Sequence, residues 1–163
     1  MVTRTAFSIL GLLGIFALFM FTPVAQAEQP FDITCCVAGN FMNVFESKEL
    51  RVLGIEAYGI SQSNHENKAF DNVTLHFVCI MRITDGKPFA TCYIKGMDPD
   101  GDIFVQEHTR AGLDVACKFL HGTGKWKGIK GAGTGKVITR GKPIRPDTTQ
   151  VCYRMIGTFE LPK

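Results

Sequence analysis

Residues 74–94 read TLHFVCIMRITDGKPFATCYI, and the fold is decided here. Two stretches, 74–82 and 89–94, are rich in β-branched and aromatic residues, and Asp85-Gly86 stands between them. Asp-Gly favours a two-residue type I′ turn, because both central positions need positive φ. That turn sets a register in which paired residue numbers sum to 171, and Cys79 and Cys92 satisfy it. Counting outward from Thr84 and Lys87, a hydrogen-bonded pair, makes Cys79 and Cys92 a non-hydrogen-bonded pair. Side chains stand closest at such a pair, within disulfide reach. Pro88 also falls on a non-hydrogen-bonded position, so its missing N–H costs the ladder nothing. The same register would otherwise hold two reduced thiols face to face.

Outward from this hairpin the chain keeps reading as strands. Leu53, Ile55 and Ala57 alternate with Glu56 and Tyr58, and a polar loop runs from Ser61 to Asp71. The cluster from Gly96 to Asp102 is a second turn, and a strand follows over 103–109. Val151, Tyr153, Met155, Gly157 and Phe159 share one face of a final amphipathic strand. Three segments read less cleanly. Residues 28–50 follow neither a two-residue nor a helical period, and 111–119 suits a short helix or a crossing segment. Residues 122–141 carry seven glycines and read as the region where the chain turns most. Short strands with almost no helix predict an all-β domain, either a closed antiparallel β-barrel of about eight strands or a β-sandwich. Closure would remove exposed sheet edges. Gly54, Gly59, Gly96 and Gly157 inside strands suit tight curvature, which favours the barrel.

The chain has 163 residues and a net charge of +3. Arg4, an uncharged and mostly apolar run over 6–21, and Ala25-Gln26-Ala27 form the three parts of a cleaved secretory signal. No Cys stands at the cleavage point, as a lipoprotein would need. Residues 28–163 are then one domain, working in the periplasm or secreted. Its modest charge argues against a nucleic-acid partner. All six cysteines lie in this part, and an oxidising compartment favours disulfides. Besides Cys79–Cys92, the flanks of the glycine-rich segment suggest Cys117–Cys152, leaving the vicinal Cys35-Cys36 unassigned. No C-x-x-C pair or nearby His supports a zinc site, and no metal or cofactor is expected.

Other motifs dissolve on inspection. Gly122-Thr123-Gly124-Lys125 and Gly133-Thr134-Gly135-Lys136 lack the Walker spacing. In Asp98-Pro99-Asp100-Gly101-Asp102 the glycine is fourth rather than sixth, so a hairpin turn is expected rather than a calcium loop. Eight basic residues and no acid lie from Lys118 to Arg145, a possible rim for an anionic envelope component, or else a solvated face. Trp126, between Lys125 and Lys127, suits a barrel plug. Glu56, Tyr58, His76, Tyr93 and His108 fall on strands and are available to line an interior.

The order Asp98-x-Asp100-Gly101-Asp102, then Gly122-Thr123-Gly124-Lys125-Trp126-x-Gly128-Ile129-x-Gly131-x-Gly133-Thr134, carries a resemblance. It resembles small exported bacterial proteins, mostly of unknown function, whose fold is like the allene oxide cyclase barrel. The resemblance implies an eight-stranded, lipocalin-like barrel with a central cavity for an apolar small molecule. The plant enzymes cyclise a fatty-acid epoxide without a cofactor, but their polar catalytic residues do not align here. The first expectation is therefore a binding module whose cavity is lined by Phe77, Tyr93, Ile94, Phe104 and Tyr153. A cofactor-free isomerase or cyclase, and a structural or envelope-interaction protein with a packed barrel, are the alternatives. No reaction is legible.

Overall fold

The computed structural model describes residues 27–162; the expected signal, apart from Ala27, lies outside them. Eight strands follow in order: β1 (Gln29–Glu46), β2 (Leu50–Ser63), β3 (Thr74–Thr84), β4 (Lys87–Met97), β5 (Ile103–Ala111), β6 (Asp114–Gly122), β7 (Lys130–Arg140) and β8 (Thr148–Glu160). Each pairs antiparallel with the next, and β8 returns to β1 over an unbroken register from Gln29–Phe159 to Asn40–Thr148. That last pairing closes the barrel and excludes the sandwich. Following direct partners from Asn43 through Leu53, Met81, Ala90, Arg110, Val115, Gly135 and Met155 returns to β1 at Ile33, ten residues from the start. Such a stagger tilts the strands against the barrel axis.

The 74–94 hairpin forms as its sequence dictates. Asp85 and Gly86 have φ of 50° and 74°, and Cys79 pairs with Cys92 in a disulfide. The second bridge differs from the expected one. It joins Cys36 to Cys152, which stand directly opposite on β1 and β8, while Cys35 and Cys117 are free and buried. Cys117 cannot reach Cys152, because β7 lies between their strands and Cys117 faces inward.

The ambiguous segments also resolve into strands. In β1, Phe31, Ile33, Cys35 and Val37 alternate inward, but outward Cys36, Met42 and Val44 blur the period. Residues 111–119 are a turn at Gly112, with positive φ, leading into β6. Much of the glycine-rich segment is β7, where Gly131 and Gly135 lie close against the β8 backbone and Gly133, like Gly157 of β8, makes room for a ring rather than turning the chain. A Cβ on Gly133 or Gly157 would stand 2.7 or 2.8 Å from Cζ of Phe31.

One end of the barrel is sealed. The β2–β3 connection folds underneath and inserts Phe70 and Val73, held by the Ser61 hydroxyl donating to the Phe70 carbonyl at 2.7 Å. The 3-10 turn Gly124–Trp126 brings Trp126 against Phe70, ring centroids 5.0 Å apart and nearly parallel. Phe31, Phe104, Phe119 and Phe159 pack around this pair, mostly edge to face. Truncating a buried aromatic of this kind to Ala typically costs about 3–5 kcal/mol. No helix among the described residues is long and apolar enough to cross a membrane.

Candidate functional site

Above the aromatic plug the barrel is hollow. A cavity of about 100 Å³ extends toward the open end, where the β1–β2, β3–β4, β5–β6 and β7–β8 connections lie. Its walls are largely apolar, with Val37, Ile55, Ala57, Met81, Val115 and Val151 among them. Each of these faces inward because alternation along its strand puts it there.

The floor is built by three rings meeting edge to face. Phe77 lies 6.2 Å from His108 and 6.0 Å from Tyr153, and His108 lies 6.4 Å from Tyr153. Register explains the convergence. Ile55, Cys79, Cys92, His108 and Cys117 are direct partners across β2 to β6, so one inward row carries a disulfide, an imidazole and a thiol. His108 Nε2 is 3.0 Å from Oε1 of buried Gln106. Burial drives the His108 pKa down to about 3, so the ring is neutral at physiological pH. Burial likewise holds the Tyr153 phenol well above its ordinary range and pushes the Cys35 and Cys117 thiols up to about 12. The Tyr153 hydroxyl is buried beside the Cys35 thiol, and no nitrogen or oxygen hydrogen-bonds to it. The site thus offers neutral donors and acceptors on an apolar floor, not a charged nucleophile.

No protein-family model and no curated protein matches the sequence. Among solved structures, the barrel is similar to two pterocarpan synthase dirigent proteins. GePTS1 gives a TM-score of 0.50 at 11% identity, covering 83% of this chain and 92% of that one. PsPTS1 gives 0.51 at 10% identity, covering 88% and 99%. At such identity the likeness shows a shared barrel fold.

The five residues expected to line the cavity separate into three groups. Phe77 and Tyr153 are on its floor. Ile94 and Phe104 face inward too, but lie in the packed lower half, where only about 10 Å³ remains. Tyr93 is outside, 54% exposed, as a correction to the sequence reading. Alternation requires this: if Cys92 faces inward, its neighbour must face out. Of Glu56, Tyr58, His76, Tyr93 and His108, only His108 is interior. Glu56, Tyr58 and His76 form an outer cluster, with Tyr58 stacked on His76 and both hydrogen-bonded to the Glu56 carboxylate.

Arg110 was missed altogether, although it shares the inward parity of Gln106 and His108. The Lys118–Arg145 residues do not share a rim. Lys118 pairs with Glu107 on the barrel side, Lys125 pairs with Asp98 and Asp100 at the sealed end, and Lys136 lies near Asp114. Arg140, Lys142 and Arg145 stand at the open end, at the end of β7 and on the connection to β8.

Proposed function

We propose that this protein is a barrel-shaped binding module for a small apolar molecule, working in the periplasm or as a secreted protein. The cavity of about 100 Å³ carries the reading: its wall is apolar, and only a few polar groups converge on its floor. The floor bounds what can fit. A ring-sized body is accommodated, whereas a long acyl chain would have to displace the Phe77, His108 and Tyr153 floor or project from the open end. Two disulfides support an oxidising compartment. The resemblance to exported bacterial proteins with an allene oxide cyclase-like barrel points the same way.

A second reading is favoured by the paired neutral side chains. His108 and Tyr153 could hydrogen-bond an uncharged substrate and hold it for a cofactor-free isomerisation or cyclisation. The fold neighbours are described as pterocarpan synthases, so barrels of this shape can serve synthesis.

The test is native mass spectrometry of the purified protein, together with an amide NMR titration using 2-phenylethanol as a neutral ring-sized probe. Shifts confined to cavity residues such as Ala57, Val115 and Val151 are expected. No co-purifying molecule and no perturbation at millimolar probe would defeat the binding reading.

A further inference from the structure

We propose that the molecule this cavity takes is a short apolar carboxylate, held by Arg110 at the mouth. The inference rests on the cavity reading above and adds the chemistry of the ligand's head. Among the described residues that line the cavity, Arg110 is the only one whose charge is fixed at physiological pH. Its position follows from register: Arg110 pairs with Ala90 on one side and Val115 on the other, both inward. Among the described residues, its guanidinium makes no ion pair with a carboxylate.

Arg110 is instead fastened in place. Its Nε donates at 2.9 Å to the carbonyl of Gly112 in the β5–β6 turn, which leaves the two terminal nitrogens for another acceptor. That end of the guanidinium matches the two oxygens of a carboxylate, where paired charge-assisted hydrogen bonds form.

Other charged residues stand at the same end. Arg51 is two residues from inward-facing Leu53 on β2; its buried Nε makes no hydrogen bond, but it is ion-paired at 3.8 Å with Glu46, its cross-strand partner, and it does not itself line the cavity. Of the acids of this end, Glu46 pairs with Arg51 and Asp114 shares an outer groove with Arg110; neither these nor Glu49, Asp85 and Asp147, all on or beside the connections, line the cavity. An anionic head inside the cavity meets Arg110 and no carboxylate among the lining residues. Below it the walls accept only an apolar body, and the floor limits how deep it reaches.

The experiment compares phenylacetate with 2-phenylethanol, which share a ring and differ in head, by amide NMR titration of the full exported chain. Wild type should bind phenylacetate about fivefold or more tightly. Arg110→Gln should bring the two probes level while keeping 2-phenylethanol binding. In wild type alone, the Arg110 Nε–H resonance should move with phenylacetate and stay still with 2-phenylethanol. That measurement stands even if the variant does not fold. Equal binding of both probes by wild type overturns the carboxylate inference and leaves the cavity reading intact. A preference that survives in Arg110→Gln, with a motionless Arg110 resonance, overturns the assignment to Arg110. Binding of neither probe defeats the cavity reading, and this inference with it.

Discussion

The indole N–H of Trp126 donates to Oδ2 of Asp98 at 2.7 Å, joining the β4–β5 turn to the turn before β7 inside the sealed end. Oδ1 of the same carboxylate accepts the backbone N–H groups of Asp100 and Asp102, and Lys125 Nζ approaches Oδ2 at 2.9 Å. Burial opposes ionisation of Asp98, but these donors together hold its carboxyl below the usual range. Asp98→Ala strands the indole donor and two turn N–H groups, so a loss of about 2–4 kcal/mol is expected. Trp126→Phe keeps an aromatic ring but loses the hydrogen bond and leaves part of the buried indole's space empty, for about 2–4 kcal/mol. Because the pair shares one bond, the double variant should cost less than the two single losses together. Urea denaturation measures all three. A change below about 0.5 kcal/mol for Asp98→Ala would remove this latch from the account.

The two disulfides close loops of very different length. Cys79–Cys92 spans 13 residues within a hairpin, whereas Cys36–Cys152 spans 116 and ties the first strand to the last. On loop-closure entropy, the short bridge is worth about 3 kcal/mol and the long one about 5 kcal/mol. Removing Cys36–Cys152 by paired Ser substitution should therefore lower stability more than removing Cys79–Cys92. Peptide mapping without reduction should find Cys35 and Cys117 as thiols, alkylated only after unfolding. A Cys117–Cys152 peptide would contradict the structure.

The hairpin was legible because one turn type fixes register, and register then fixes every contact along both strands. Barrel closure was legible only as a tendency, since the β1–β8 pairing joins residues more than 100 positions apart and no local signal encodes it. That is why Cys36 was left without its partner. The plug was half legible. Trp126 announced itself by composition, but Phe70 sits in a polar loop whose average character concealed one buried ring. Tyr93 shows how alternation outranks chemistry, since an aromatic on a strand goes wherever its parity sends it. Arg110 escaped notice because a charged residue at a strand end reads as solvated. Only the closed barrel reveals that its parity faces the cavity.

The cavity reading makes its own prediction. Val151 lies on the wall, and a larger side chain there would project into the empty space. Val151→Phe should abolish binding of 2-phenylethanol while changing stability by no more than about 1–3 kcal/mol, the ordinary cost of an overpacked site. Thermal melting and the NMR titration together distinguish blocking from unfolding. Retained probe shifts in a folded Val151→Phe protein would place the ligand somewhere else.

His108 ties the cavity floor to acid stability. Its folded pKa of about 3 lies below the value of about 6.5 expected when unfolded, so between these values the unfolded chain binds more protons. Stability must then fall as pH drops from 6.5 toward 3, because unfolding releases a neutral imidazole that takes up a proton in water. Between pH 7 and pH 5 this single group should cost wild type about 2 kcal/mol. His108→Gln cannot titrate there, so its stability should decline less by that amount, whatever it loses at pH 7. Asp32 and Asp98, both held below the usual carboxyl range, contribute equally to the two proteins and cancel. The Cys35 and Cys117 thiols, near 12, stay protonated throughout this window. Parallel urea denaturation series at pH 7, 6 and 5 supply the comparison. Parallel stability profiles for the two proteins would mean that His108 reaches water and that the cavity floor is not dry.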